Sequence, residues 1–429
     1  MKTKRSTRPV AGIVAAGAVV LTACMPAPPA MLRADGVERV VVDRAAYAAE
    51  IRAFRDSALE LGGALLADGG DGRNGNVISS PGSLLITLAM LRAGASGETA
   101  TEMDKVLGLP TEHRDEAMNA VLASLDQFDG DPGRVDEKDP PRTPVMHVAN
   151  GLFVDRDVTT GKAYLDTLAR HYGTGVYPVD FRDPGTTKAA IDAWVNKHTG
   201  GRVKQAPATY DPSNTFSLLN AAYFAAAWEA PFDPNDTSDR PFTTADGSAV
   251  NAPAMNNQFV MKYAEGHGWR GVDLPYAEGF VMRLVLPDAI EGSRPATAVL
   301  GADKLREIAE AFDAAPHESV QIQLPRWENK CSFDLRKVMG ALGLQKTLNT
   351  TEDFNAIQPK LAITQAAQAA NITVAEKGTV AAAVTQINGA VSGVVQPEQT
   401  IRFDRPFHYQ VVHAETGLPL FMGTVTDPR

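Results

Sequence analysis

From about Tyr47 onward the apolar positions change period several times. Tyr47, Ile51, Phe54, Leu59, Leu61 and Leu65 fall at helical spacing, and the Gly/Asp-rich stretch 68–75 closes the run, which predicts a long first helix. Residues 83–91 and 100–109 predict two more helices, the second ended by Gly108 and Pro110. An acidic, Pro-containing stretch at 129–142 reads as a surface insertion. Strand-like runs then dominate, at 148–154, 217–224, 279–286, 320–324, 372–374, 401–403, 409–413 and 420–424, with helical patterns at 163–172, 188–198, 302–312 and 333–342 between several of them. Helices first and large sheets afterwards predict an α+β protein with mostly antiparallel pairing. Without repeats or a second long linker, 47–429 reads as one domain.

The first thirty residues obey different rules. Lys2, Lys4, Arg5 and Arg8 form a positive head, and 10–20 is an apolar run too short to span a bilayer comfortably. This is the pattern of an export signal, expected over 1–23. Leu21, Thr22, Ala23 and Cys24 resemble a bacterial lipobox, in which the cysteine is lipidated and becomes the new N-terminus. The other reading is an ordinary secretory signal with Cys24 incidental. Residues 24–46, Pro-rich at 25–30, are expected to tether the domain to the lipid. The protein is thus expected outside the cytoplasm, anchored to the bacterial cell membrane or secreted.

Composition narrows the chemistry. With 429 residues, 44% of them hydrophobic, the chain can bury a large core. A formal charge of −10 argues against nucleic acid as a partner. Lipidation of Cys24 would leave only Cys331, so no intrachain disulfide is expected, and Cys331 reads as a passive thiol. Residues 266–271 spell a dinucleotide fingerprint, but no strand pattern leads into it and no helix pattern leaves it. Ser392 between glycines lacks the strand–turn–helix setting that would activate a hydroxyl. No metal site, cofactor or catalytic constellation can be assembled, so the chain is not expected to be an enzyme.

The unusual segment is 376–395, EKGTVAAAVTQINGAVSGVV. It starts charged, continues with small residues and ends apolar with interior glycines. So many alanines would fill a sheet face poorly, while the Val and Thr residues weaken a helix. It is strand-competent yet suited to insertion rather than to a standing place.

Several separated blocks are similar to the serpin family. They are 76–83 with the helical run after it, Ala149 to Val154, Ile191 to Asn196, Asn220 to Phe224 with Trp228 to Phe232, Leu274-Pro275-Tyr276, Leu324-Pro325-Arg326, and Asp404 to Phe407 with Phe421 to Gly423. The resemblance implies a serpin fold, with three β-sheets, about nine helices and an exposed reactive loop over about 376–402. It implies a monomer that serves as a suicide substrate for serine proteases, extending to cysteine proteases: the target cuts the loop, and the cut loop inserts into a sheet and traps the acyl-enzyme. The alternative is a non-inhibitory serpin that binds a partner or is merely cleaved.

Residue by residue, the resemblance implies a hinge of Glu376, Lys377, Gly378, Thr379, Val380, Ala381, Ala382, Ala383, Val384 and Thr385. Period-two geometry would turn Thr379, Ala381, Ala383 and Thr385 inward on insertion, all small, with no proline or charge in 379–385. That favours the inhibitory reading. Glu376 and Arg326 match the family's ion pair over the aromatic Trp228, the region called the breach. Ser80, Ser83 and Asn220 match the polar shutter between the central strands, where Gln368 stands in place of a common histidine. The scissile bond is expected at Ser392–Gly393, or at Val391–Ser392. No Arg or Lys lies between Lys377 and Arg402, so elastase-like or subtilisin-like targets fit better than trypsin-like ones.

Overall fold

The computed structural model describes residues 27–136, 138–288, 300–379 and 396–429. Among these are nine α-helices: α1 (Ala48–Asp68), α2 (Pro81–Ala93), α3 (Gly97–Leu107), α4 (Arg114–Asp126), α5 (Lys162–Thr167), α6 (Pro184–His198), α7 (Ala302–Ala314), α8 (Leu335–Leu342) and α9 (Gln345–Asn349). The first is the long helix that the apolar spacing predicts, and Gly69, in the left-handed conformation, ends it by returning its N–H to the Leu65 carbonyl. The second carries Pro81 in its first turn and is buried on every side from Pro81 to Leu91.

The strands form two hydrogen-bonded networks. The smaller contains β2 (Val145–Asp155), β3 (Tyr177–Val179), β4 (Phe216–Ala227), β10 (Trp327–Asp334), β11 (Gln365–Ala375) and β12 (Gly378–Thr379), in the order β10-β11-β12-β4-β2-β3. The larger contains β1 (Val77–Ser79), β5 (Ser238–Thr243), β6 (Ala249–Gly266), β7 (Trp269–Pro275), β8 (Phe280–Pro287), β9 (His317–Pro325), β13 (Gln399–Arg402), β14 (Phe407–His413) and β15 (Pro419–Val425). The expected three sheets are present with two of them fused. The 18-residue β6 pairs with β5 and β9 along its first part and with β7 at its end, so one strand joins two groups.

Helix α2 lies between the networks, packing on β2 and β4 on one side and on β15 on the other. On the outer face of the smaller sheet, Ile191, Trp194 and Val195 of α6 share a core with Leu219 and Ala221 of β4 and with Ala367 and Ala369 of β11. Trp194 packs there edge-on against Phe153 of β2 and Tyr177 of β3.

Three details depart from the sequence pattern. The strand read at 372–374 begins at Gln365, because the buried alanines 366, 367, 369 and 370 are sheet residues despite their size. A strand does lead into the glycine motif at 266–271; β6 turns there into β7 through Gly268, so the motif joins two strands and opens no helix. Finally, the stretch expected as a free tether is docked from Met31 onward. Leu32 and Val176 exchange backbone hydrogen bonds of 2.7 and 3.0 Å, Val40 N–H reaches the Arg170 carbonyl, and the Asn119 amide reaches the Val40 carbonyl. Backbone pairing of this kind leaves no periodicity to read.

Two buried imidazoles, His408 and His413, and the half-buried His198 set a pH limit. Burial pushes His198 and His413 down to about 4 and His408 down to about 3, against an ordinary 6.5. The unfolded chain binds these protons below about 6.5 and the folded chain does not until about 4, so folded stability is lost as pH falls through that window. The apparent melting temperature is expected to drop already between pH 6.5 and about 5, before the carboxylates titrate. The His413→Gln variant should show a shallower drop, and a flat profile for the parent chain would contradict the neutral burial of these rings.

Candidate functional site

The line between β4 and β11 is paired at one end only. From Gln365 to Ala369 the two strands run parallel and hydrogen-bonded, opposite Ser217 to Ala221. At the other end β12 is wedged between them, with Thr379 opposite Ala226 and Val374, and Gly378 opposite Ala227 and Ala375. Between these, the facing edges of Ala222 to Ala225 and of Ala370 to Thr373 have no ladder partner among the described residues. Their opposite edges are occupied, by β2 and by β10. An open strand edge inside a sheet accepts another strand.

The wedge is held by the residues around it. Gly378 is required there, since a Cβ at this position would meet the Ala226 carbonyl oxygen at 2.1 Å. Thr379 is fully buried, and its hydroxyl is hydrogen-bonded to the Tyr276 hydroxyl. Tyr276 stacks on Trp228 with ring centroids 4.4 Å apart, and burial pushes its phenol above the ordinary range. The Trp228 indole donates to the Ala375 carbonyl at 2.9 Å, and Trp228 N–H donates to the Lys377 carbonyl at 2.9 Å. Glu376, at 7% exposure, accepts from the Arg326 guanidinium and from Thr237 Oγ1 at 2.7 Å. The Glu376–Arg326 pair is therefore a half-buried clamp on the turn between β11 and β12 rather than an ordinary surface ion pair. Lys377 points outward, its Nζ donating to the Lys138 carbonyl at 3.3 Å in the surface insertion.

At the paired end a polar network closes the line. Gln368 sits opposite Asn220 across the strands. Its Nε2 donates to Asn220 Oδ1 at 2.8 Å and to the Ser80 carbonyl at 2.9 Å, while its Oε1 accepts from Ser80 N–H at 2.9 Å. Asn220 Nδ2 reaches Ser83 Oγ at 2.5 Å and Asn150 Oδ1 at 2.8 Å, and Thr87 Oγ1 donates to that same Asn150 oxygen. Ser80 Oγ donates to the Leu420 carbonyl at 2.6 Å, tying the cluster to β15. A glutamine supplies both donor and acceptor here without a titrating ring.

The structure thus brings Glu376, Arg326 and Trp228 together at one end of the line and Ser80, Ser83, Asn220 and Gln368 together at the other. Sequence reasoning missed Tyr276 and Thr237 at the first place and Thr87 and Asn150 at the second. Tyr276 and Asn150 lie inside the serpin-like blocks, and Thr87 stands one helical turn after Ser83, which are the available signals. Val380, Ala381, Ala382, Ala383, Val384 and Thr385 of the hinge, the bond at Ser392–Gly393 with its alternative at Val391–Ser392, and Cys24 lie outside the described residues. Cys331 is buried on β10, and burial pushes its thiol up, away from the reactive thiolate.

The chain is similar to known proteins in sequence and in fold. A family model described as Serpin (serine protease inhibitor) matches residues 54–428. A serpin-like protein of Thermococcus kodakarensis is 30% identical over 371 residues, covering 83% of this chain and 82% of the relative. Plasminogen activator inhibitor 1 of Sus scrofa is 29% identical, covering 82% of this chain and 87% of the relative. The solved structure of a thermophilic serpin, tengpin, in its native state has a TM-score of 0.78 at 23% identity, covering 93% of this chain and all of that one, a likeness of fold.

Removing the Gln368 amide strands two buried partners, Ser80 N–H and Asn220 Oδ1, and takes one of the two donors from the Ser80 carbonyl, which keeps Leu84 N–H. Gln368→Ala is expected to destabilise the native chain by on the order of 2–3 kcal/mol. Urea denaturation tracked by tryptophan fluorescence should show the lowered midpoint; an unchanged midpoint would mean that the network does not hold the strands.

Proposed function

The chain belongs to the serpin family, and on that premise we propose that it inhibits extracellular serine endopeptidases by trapping them as acyl-enzymes. The observation that carries the reading is the half-open line between β4 and β11, with Gly378 and Thr379 of the loop already in it. An attacking protease adds its serine Oγ to the carbonyl carbon of the scissile residue, Ser392 in the first reading. The bond to the Gly393 nitrogen breaks, that nitrogen leaves protonated as a new amino terminus, and the loop stays joined to the protease by an ester. Water would then hydrolyse the ester unless the site is deformed first.

Insertion supplies the deformation. Continuing the antiparallel register of Thr379 opposite Ala226, residues 380–383 fill the open rungs opposite Ala225 to Ala222. Residues 384–388 then replace β11 as the partner of Ala221 to Ser217, which requires the Gln368–Asn220 bond to break. One ladder is lost and two are gained. The same register puts Ser392 opposite Ser213, beyond the start of β4 at Phe216, so the protease is carried to the opposite end of the sheet. Before cleavage the loop is tied at both ends, so the gain stays unrealised and the native state is held kinetically.

The residues expected at the bond, Val391 or Ser392, suit the shallow apolar pockets of elastase-like or subtilisin-like enzymes, with cysteine proteases as further targets. The lipobox-like Leu21 to Cys24 supports a monomer held by lipid outside the cytoplasm.

Incubating the mature chain with such proteases should yield a covalent complex that survives denaturing electrophoresis, and sequencing the released peptide should identify the bond. Full cleavage without that band would defeat the inhibitor reading in favour of a bound or merely cut serpin. Thr379→Arg puts a charge where Thr379 is fully buried against Tyr276. It is expected to shift most turnovers from trapping to cleavage, read as a severalfold rise in the stoichiometry of inhibition, with the rate of loop cleavage unchanged.

A further inference from the structure

The docked N-terminal segment has a direction, and that direction bears on how an anchored molecule faces its membrane. In the smaller sheet, the hinge lies at the level of Ala226 and Ala227, next to Val145 at the start of β2. β2 runs away from the hinge, and β3 runs parallel to it, with Tyr177 opposite Phe153. Leu32 pairs antiparallel with Val176, just before Tyr177 and some eight rungs, about 27 Å, from the hinge. Traced backward from Leu32, the chain therefore passes Tyr177 toward the end of β3, and Met31 packs against the core that contains Tyr177 and Val179. It leaves the body pointing at the end of the sheet away from Gly378 and Thr379.

The strap is also held firmly by its side chains. Arg39 donates to Asn119 Oδ1 at 2.6 Å and pairs with Asp126 at 2.6 Å on α4, and Arg33 donates to the Gly173 carbonyl at 2.9 Å. Gly175 admits the strap because a Cβ there would meet the Leu32 carbonyl oxygen at 2.0 Å. From Cys24 to Met31 is seven residues, at most about 25 Å of extended chain.

Resting on the lipid anchor proposed above, we infer that the strap at residues 31–40 fixes the inhibitor's polarity on the bilayer: the pole at the end of β3 faces the membrane, the reactive loop faces away, and loop insertion delivers the captured protease to the membrane-facing pole. The loop is thereby presented to proteases arriving from the medium. Trapping moves the protease toward the lipid, since the register places Ser392 at the same end of the sheet as the strap's exit. A protease domain of roughly 200 residues is about 40 Å across, more than the tether spans, so the complex leans over and ends lying against the bilayer.

The test uses the mature chain with a histidine tag in place of Cys24, bound to phosphatidylcholine vesicles that carry a nickel-chelating lipid and an acceptor dye. A donor dye is placed at Asp157→Cys, just past the end of β2, or at Glu229→Cys beside the hinge; Cys331 is buried and stays unlabelled. Energy transfer to the bilayer is expected to be strong from position 157 and weak from 229. Loosening the strap, by Arg39→Ala or by Leu32→Pro, which removes the N–H that bonds Val176, should abolish the difference. A donor-labelled protease should show more transfer in the covalent complex than when its nucleophile is replaced and it binds without acylation. Equal transfer from both positions in the parent chain, a difference that survives both strap variants, or no gain on trapping would overturn the inference. The anchor is tested apart: in cells, the intact chain should partition into detergent and Cys24→Ser should not. If both remain aqueous, the anchor reading fails, while the vesicle experiment still decides the polarity.

Discussion

Everything in this fold turns on two strands that are hydrogen-bonded along half their length. β4 and β11 pair from Ser217 to Ala221 against Gln365 to Ala369 and then part, and among the described residues only Gly378 and Thr379 stand between their far ends. Unpaired edges flanked by buried alanines are an unmet demand for a strand, and the segment that can meet it is covalently continuous with β11. In the proposed mechanism, peptide-bond cleavage elsewhere in the loop converts that demand into motion.

In the proposed insertion, two clusters at the ends of the line do opposing work. The one around Glu376, Arg326, Trp228 and Tyr276 starts the insertion and fixes its register, so that the residues after Thr379 alternate correctly between faces. The one around Gln368, Asn220, Ser80 and Ser83 resists it, since each further rung beyond Ala222 must break a buried, satisfied hydrogen bond before making a new one. Small side chains on both strands keep this resistance local. With alanines at 221, 222, 225, 366, 367, 369 and 370, parting the strands uncovers little apolar surface, and polar bonds rather than packing form the lock.

Much of this was legible in the chain, and the parts that were not share a cause. Helical spacing located α1, α2 and α3, and alternating runs located most strands, because each depends on neighbours within a few residues. The clamp of Glu376 on Arg326 and the cluster of Ser80, Ser83, Asn220 and Gln368 were reachable only through motif resemblance, since their partners are separated by up to 288 positions. The Tyr276–Thr379 contact, Asn150 and Thr87 escaped because nothing local distinguishes a polar residue facing a network from one facing water. The alanine-rich half of β11 escaped because size-based strand propensity misjudges a strand that must let a neighbour depart. The strap at 31–40 escaped because its partners, Val176, Arg170, Gly173, Asn119 and Asp126, lie 79 or more positions away in the sequence.

The central claim is that the open rungs are the receiving site for the cut loop. It is tested most directly by amide hydrogen exchange on the chain before and after a protease severs the loop. The account predicts that every second amide of Ala222 to Ala225 and of Ala370 to Thr373, those facing the line, becomes strongly protected after cleavage while β14 and β15 barely change. Unchanged exchange at those line-facing positions in a fully cleaved chain would contradict it.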